Sequence, residues 1–414
     1  MSITNSPITR PSAERLVRFL GLMLIAWQPF WSGARLPTFL LLLVALWLLW
    51  HQRIDFSAAP ARRLGSLFLL LGIPVLLSIP ASFSLGGSLS VLAVLGIFYL
   101  IGLALLQGLR HDNDRAWLLR WLLALIVAWS LDGYLQLAFG HDLLGRPMSN
   151  GRILGPFAGN LHLGLFIAIL LPAAAWGLAQ SRPLLLLGLI ASTGFIVAMS
   201  GSRSSILLLI LAAAALMLHL SNRQRLLTML AVLSISASMA YLSPAISQRI
   251  QTIVQTPTNA SLFDRIDIVL SHRLTIWNNA AAMIADRPLI GIGASAFSEA
   301  YKHYAPPDDL FLTREKVYHA EQMYVSVTAE SGIPGLAGLL AVIALCIRWF
   351  RRAAPEQRRQ AAPFAAPLAI IAFPLQSQPV LYTIWWFPVV LLLLCGLLAA
   401  LGDQPNDNST ASKS

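Results

Sequence analysis

Charged side chains are scarce in this chain of 414 residues, because Asp, Glu, Lys and Arg together make up only 11% of it. A soluble domain carries about 25%, so the shortfall excludes an ordinary soluble fold. The mean hydropathy is +0.69, and the apolar residues come in blocks that match a bilayer-crossing helix of roughly 17–25 residues. The composition therefore predicts a polytopic membrane protein.

Several chemical signals are also missing. The two cysteines, Cys346 and Cys395, both fall inside apolar blocks, which argues against a disulfide or thiolate–metal framework. No G-x-x-x-x-G-K-[ST] loop is present, so ATP-driven transport is not expected. No cluster of His, Cys and Asp has the spacing of metal ligands. We therefore expect neither a metal nor another cofactor.

Twelve apolar blocks are long enough to be spans, and each should be helical because the backbone in lipid must satisfy its own hydrogen bonds. They fall at 16–31, 36–50, 64–81, 88–109, 116–139, 160–179, 183–200, 204–220, 226–243, 332–350, 362–380 and 384–401. The first block lacks a small-residue cleavage site, so we interpret it as a retained helix. The pattern predicts an all-α fold with nine spans in 1–243, a long extramembrane loop in 244–331, three spans in 332–401, and a cytoplasmic tail in 402–414.

The distribution of basic residues orients these spans. The net charge is +11, and 18 of the 29 lysines and arginines lie on the side that holds both termini. Seven of the other 11 lie in the long loop, where the positive-inside rule does not apply. Both termini are therefore predicted to be cytoplasmic and the long loop to face outward. Because topology explains the basic balance, we expect membrane lipids and not nucleic acid as partners.

Five outward-facing arginines are candidate ligands for an anion, because the planar guanidinium matches phosphate oxygens. They are Arg146, Arg152, Arg203, Arg265 and Arg273. Three lie in short loops, where arginine opposes the topological preference and a snorkelling side chain is the structural alternative. Arg265 has Asp264 and Asp267 as possible ion-pair partners, and Arg273 could stack on Trp277, one helical turn away.

Arg203 lies in a tight run of small residues between two predicted spans. The run reads Ser200-Gly201-Ser202-Arg203-Ser204-Ser205. Small side chains leave space for a ligand, and the N–H groups that open the next helix would point at it. The long loop should itself be helical, with one amphipathic helix over 264–284 and a second over 320–330 that stops at Gly332 and Pro334.

The second loop helix opens on a candidate catalytic group, His319, Glu321 and Gln322. His is the usual general base near neutral pH, and Glu321 could serve instead. Residues two apart on a helix point to nearly opposite sides, so both reach one pocket only if His319 precedes the first turn. The structural alternatives are an interface histidine and, for Glu321, favourable charge at a helix N-terminus.

These segments resemble the hallmark regions of the O-antigen ligase and polymerase superfamily. The matching residues are Arg273-x-x-x-Trp277, Arg287-Pro-Leu-Ile-Gly-Ile-Gly293 with Phe297, Gln322 with nine residues between it and Gly332-Ile-Pro-Gly335, and Arg152-Ile-Leu-Gly-Pro-Phe157 with Asn160. The third of these is similar to the ligase motif H-[N/S/Q]-x9-G-x-x-G. The resemblance covers roughly 145–345. One position departs from the motif: its His corresponds to Glu321, while His319 lies two residues earlier, as in relatives with H-x-H-N.

The resemblance implies a GT-C-like glycosyltransferase in the bacterial inner membrane. The long loop would be periplasmic, the donor a glycan on undecaprenyl pyrophosphate, and the acceptor a sugar hydroxyl of lipid A–core. Members of the family are understood to act without a metal and to invert the anomeric centre. On this interpretation the five arginines hold the pyrophosphate, and His319 or Glu321 is the base.

Three other functions are compatible with parts of the pattern. An O-antigen polymerase would use a second lipid-linked glycan as acceptor, but the single long loop and the Gln-x9-Gly-x-x-Gly pattern favour a ligase. A protein O-oligosaccharyltransferase usually has a longer C-terminal part. A transporter of the lipid-linked glycan would need charged residues deep in the bundle, and this chain has few.

Overall fold

The computed structural model describes residues 10–30, 33–157, 162–218, 220–242, 261–313, 317–375, 381–383 and 385–402. Within these ranges the chain is built of helices and forms no β-strand. The helices are α1 (Arg10–Ala26), α2 (Arg35–Trp50), α3 (Ala59–Ser78), α4 (Leu85–Gly108), α5 (Asp112–Phe139), α6 (Leu163–Ser181), α7 (Pro183–Met199), α8 (Arg203–Met217), α9 (Asn222–Leu242), α10 (Leu262–Val269), α11 (Arg273–Asp286), α12 (Phe297–Tyr304), α13 (Leu310–Thr313), α14 (Met323–Arg352), α15 (Pro355–Ile371) and α16 (Phe387–Leu401).

Helix length and composition fit a membrane protein. Among the described residues, five helices are long and apolar enough to cross a bilayer: α3 with its short extension to Ala81, α4, α5, α6 and α14. Four shorter helices, α2, α7, α8 and α16, are also apolar. The chain is therefore an all-helical polytopic membrane protein. The number of twelve spans stays a prediction, and the ends of several predicted spans, the residues 158–161 and 376–380 among them, lie outside the described part.

Helix α6 forms the centre of the bundle. It is buried along most of its length, and α5, α7, α8 and α15 pack against it. Lipid tails are as apolar as these side chains, so close packing is what holds the helices together. Phe166 of α6 stacks on Trp386 at the start of α16, with the two ring centroids 4.6 Å apart. A second, smaller core lies in the segment from α11 to the start of α14, around Met283, Phe297 and Tyr301.

Helix α14 is bent at Gly332, where the sequence predicts a helix end. Gly332 has φ 67° and ψ −171°, a conformation that a residue with a side chain rarely adopts. Pro334 has no N–H and cannot donate to the Glu330 carbonyl one turn before it. The N–H of Ile333 also turns away from the Ala329 carbonyl. The bend therefore leaves two buried carbonyls without their helical donors.

The loop after α11 supplies the missing donors. The N–H groups of Ile292 and Gly293 donate to the two carbonyls at 2.9 Å each, and the Pro288 carbonyl accepts from Ile333 at 2.7 Å. A Cβ added at Gly293 would lie 2.1 Å from the Ser82 Oγ, so only glycine fits. The two glycine-containing motifs of the sequence thus form one structural unit, which holds the loop after α11 against α14.

The single helix predicted over 264–284 is wrong. The chain breaks there into α10 and α11, and the elbow between them includes Ser271 and His272 with φ of 62° and 60°. The buried Asp267 stabilises the break, since its carboxylate accepts from the Thr275 N–H (3.1 Å) and the Thr275 hydroxyl (2.7 Å). His272 Nδ1 lies 3.1 Å from the same carboxylate. Satisfying the first N–H groups of α11 in this way favours a new helix over continuation of the old one.

Candidate active site

The candidate base residues lie in a turn that precedes α14. The helix begins at Met323, so His319 and Glu321 both come before its first turn and their side chains face each other. His319 Nε2 lies 3.7 Å from Glu321 Oε1. Glu321 has a left-handed backbone with φ 53°, which is uncommon for a residue other than glycine. The turn, not helical periodicity, brings the two groups into one site.

Hydrogen bonds from two directions hold this turn. Trp277 Nε1 donates to the Ala320 carbonyl at 2.8 Å. The Gln322 side chain caps α14 by accepting from the Val325 N–H at 2.6 Å, and its amide donates to the Pro374 carbonyl at 2.9 Å. Gln322 is therefore engaged at both ends of its amide. Its position is that of a helix cap and tether beside the candidate base.

Helix α11 contacts the turn a second time through Arg273. This residue opens the helix and lies one turn before Trp277 on the same face. Its Nη2 is 3.6 Å from Glu321 Oε2, and the two side chains are 29% and 35% exposed. At this separation the pair is electrostatic and not directly hydrogen-bonded. Both groups can therefore take up substrate oxygens or hydroxyls between them.

The surroundings keep His319 neutral. Burial lowers the pKa of His319, the Glu321 carboxylate partly offsets that effect, and Arg273 lowers the pKa further. A buried imidazole loses more solvation energy when it is charged than when it is neutral, which is why burial dominates. The ring is therefore uncharged at neutral pH.

Arg203 reaches from the start of α8 to the elbow between α10 and α11. Its Nη1 donates to the Val269 carbonyl at 2.9 Å, and its Nη2 donates to the Ser271 hydroxyl at 2.5 Å. Arg273 follows Ser271 by two residues. The structure thus places Arg203 and Arg273 at one elbow, although α8, α9 and α10 lie between them in the chain.

Arg152 joins the same region through Gly201. A Cβ added at Gly201, which has φ 70°, would come within 3.0 Å of Arg152 Cδ and Nε. Within the described part of the chain, the buried Nε of Arg152 has no hydrogen-bond partner. A buried donor of this kind costs about 1–3 kcal/mol while it is unsatisfied. An anion at the Gly201–Arg203 loop would satisfy it.

Arg146 and Arg265 have different surroundings. The Arg146 guanidinium donates to the Pro156 carbonyl within the connection between α5 and α6. Arg265 lies on an exposed face of α10. Its expected partner Asp264 forms a capping box with Ser261, and Asp267 binds the start of α11. The Arg146 contact therefore lies away from the elbow between α10 and α11.

Sequence reasoning missed the elbow itself, and with it the roles of Asp267 and Ser271. A signal was present, because Ser271 and His272 interrupt the amphipathic pattern just before a helix start, and Asp267 is a residue type that caps helices. Continuous helical spacing of apolar residues on both sides concealed the break.

An apolar cavity of about 640 Å³ begins beside the turn. Met323, which directly follows the turn, lines the cavity together with Phe373 and Leu381. The other lining residues of α14 run from Leu339 to Phe350, beyond the Gly332 bend. The cavity lies between α3, α6, α8, α14, α15 and α16, and its walls are almost wholly hydrocarbon. It suits a long apolar chain whose polar end lies at the turn.

The contact between Trp277 and Ala320 gives a stability prediction. Trp277→Phe keeps an aromatic ring but removes the donor, so a buried carbonyl loses its partner. We expect the variant to lose about 1–3 kcal/mol of unfolding free energy, seen as a lower thermal midpoint in detergent. Trp121→Phe is the matched control, because Trp121 is half exposed. Equal midpoints for the two variants would contradict the assigned contact.

The sequence of this region matches a known family. Residues 186–340 match the profile of the O-antigen ligase family. The matched segment runs from α7 into α14, and so includes Arg203, Arg273, His319 and Glu321, together with the Gly332 bend. None of the curated proteins matches the chain. The resemblance to the O-antigen ligase family inferred from the sequence is therefore confirmed over the segment from α7 into α14.

Proposed function

We propose that the protein is an O-antigen ligase. It transfers polysaccharide from undecaprenyl pyrophosphate to a sugar hydroxyl of lipid A–core at the periplasmic face of the inner membrane, in a GT-C-like arrangement. The family match supports glycosyl transfer of the ligase or polymerase type. The observation that carries the proposal is one site in which Arg273 faces Glu321 and His319 beside an apolar cavity.

The arginines are suited to the leaving group of this reaction. Cleavage of a sugar–pyrophosphate bond builds negative charge on the phosphate oxygens, and donors already in place stabilise that charge. Arg203 and Arg273 flank the elbow, and Arg152 adds a buried N–H that has no partner in the described part of the chain. Each charge-assisted hydrogen bond contributes about 1.5–3 kcal/mol. Arg146 and Arg265 remain candidates for binding other oxygens of the same pyrophosphate.

The apolar cavity is suited to the donor's lipid tail. A polyprenyl chain can lie in the cavity while its pyrophosphate reaches the turn, because Met323 beside the turn is one of the lining residues. The tail would pass from lipid to an equally apolar cavity, so close packing and not the hydrophobic effect would hold it. The tail would therefore mainly orient the headgroup.

The transfer needs one proton acceptor. The acceptor hydroxyl oxygen attacks the anomeric carbon from the face opposite the pyrophosphate, and the bond from that carbon to the phosphate oxygen breaks with inversion. The electron pair leaves with the lipid pyrophosphate, and the hydroxyl proton passes to His319 or Glu321. The products are the glycosylated acceptor, the lipid pyrophosphate and one proton.

The direct test is transfer by the purified protein. We expect it to join an undecaprenyl-linked glycan to lipid A–core in detergent with a chelator present, and the product to be seen as a shifted lipid band. The described residues contain no group of three His, Cys, Asp or Glu side chains arranged as metal ligands. The chelator independently tests the expectation that the transfer needs no metal. A longer lipid-linked glycan without lipid A–core product would identify a polymerase. Movement of labelled lipid across vesicles without any acceptor would identify a transporter.

A further inference from the structure

The turn before α14 determines which nitrogen of His319 carries a proton. The backbone N–H of Glu321 donates to His319 Nδ1 at 3.1 Å. A ring nitrogen that accepts a hydrogen bond carries no proton, so the neutral ring has its N–H at Nε2. That nitrogen is the one directed at the Glu321 carboxylate, 3.7 Å away. His319 therefore presents a donor, and not a lone pair, to the site.

The remaining acceptor in the turn is the Glu321 carboxylate. In the part of the chain that the structure describes, the charged and titratable groups that face it are Arg273 from α11, at 3.6 Å, and His319 from its own turn. Both are donors, so they orient the carboxylate and do not compete with it for a proton. The side chain is 35% exposed, against 24% for His319. A substrate hydroxyl therefore has the better access to Glu321.

We infer that Glu321 is the proton acceptor of the transfer, and that His319 is a positioning residue held as the Nε2–H tautomer. The inference rests on the proposed function for its chemistry. Glu321 takes the proton of the attacking hydroxyl and becomes a carboxylic acid, and it returns that proton to solvent when the products leave. The chain's one departure from the ligase motif, Glu where the motif has His, is then a replacement of one base by another.

Substitutions separate the two roles. Glu321→Gln keeps shape but cannot take a proton, so we expect kcat to fall about 100- to 10,000-fold with an unchanged KM for the lipid-linked donor. His319→Asn keeps an acceptor near the Nδ1 position, and we expect a fall of no more than about tenfold. His51→Asn, at an exposed site, is the matched control and should retain full activity.

The pH profile distinguishes a base from a merely structural residue. The native rate should fall in acid, because a protonated carboxylate accepts no proton, and His319→Asn should keep this fall. Glu321→His should restore part of the activity and move the fall to higher pH, since imidazole takes up a proton at higher pH than a carboxylate. Near-native activity of Glu321→Gln, or a loss confined to His319→Asn, would overturn the assignment.

The tautomer is measured without any substrate. The ¹⁵N spectrum of histidine-labelled protein, with the His319 signals identified by their absence in His319→Asn, should show the proton on Nε2. A proton on Nδ1 would overturn the inference even in an active ligase. Failure of the proposed function is a different result, in which the native protein transfers no glycan to lipid A–core while the tautomer is still observed.

Discussion

Replacing Arg273 by Gln should reduce the rate of glycan transfer by about 100- to 1000-fold, the usual loss when one fixed donor to a developing oxyanion is removed. Arg273 lies beside the candidate base, with its Nη2 3.6 Å from the Glu321 carboxylate. Its charge can act on the leaving pyrophosphate from a fixed position. Arg273→Lys should recover only part of the loss, because an ammonium group lacks the planar fork that matches phosphate.

The control for Arg273→Gln is Arg359→Gln. Arg359 lies on α15 and pairs locally with Glu356, and both side chains are well exposed. It should transfer glycan at the native rate. The measurement is the initial rate of lipid A–core modification, with the thermal midpoint recorded in parallel. Full activity of Arg273→Gln in a folded protein would remove the pyrophosphate role, and an equal loss in Arg359→Gln would point to a general charge effect.

Gly332→Ala should prevent correct folding, with a cost of about 3 kcal/mol or more. Gly332 has φ 67° and ψ −171°, and an added Cβ would lie 2.7 Å from the backbone of Leu289. The side chain cannot relieve this contact by rotating, because both partners are fixed backbone. The bend and the docked loop would have to separate together.

Gly86→Ala is the matched control, since a Cβ there meets nothing within 4 Å. In a helix this change should be neutral or should stabilise the protein by up to about 1 kcal/mol. The measurements are the yield of monodisperse protein and the midpoint of thermal unfolding in detergent. A native midpoint for Gly332→Ala would show that the bend is not required.

Individual site residues could be selected from the sequence because their types were informative. Arginine in a short loop on the predicted outward side opposes the topological preference, which singled out Arg203. Arg273 was a candidate because a guanidinium matches phosphate oxygens, and His319 and Glu321 because either side chain can act as a general base. The sequence could not choose between these two. That choice depends on a backbone N–H pointing at one ring nitrogen, and a left-handed turn is not encoded in hydrophobic spacing.

The helix end predicted at Gly332 and Pro334 agrees with the bend of α14 for a local reason. Glycine followed by proline two residues later removes a helical donor whatever the surroundings. The predicted continuous helix over 264–284 failed for the opposite reason. Apolar spacing continues across the break. The break is stabilised by the buried Asp267, whose carboxylate accepts hydrogen bonds from Thr275 at the start of α11. That contact depends on how the two helices pack, which the spacing does not show.

The sequence by itself determined the class of this protein. Scarce charge and long apolar blocks require helices in a membrane, the arginines indicate which side faces outward, and the motifs between α7 and α14 indicate the family. Only the tertiary structure decided which of these residues meet. Arg203 hydrogen-bonds to the elbow at Ser271, two residues before Arg273, although the two arginines come from separate segments. Where the buried Ala329 and Glu330 carbonyls lose their helical donors at the Gly332 bend, the N–H groups of Ile292 and Gly293 replace them. Buried backbone groups rarely remain unpaired, so this requirement holds the loop after α11 against α14.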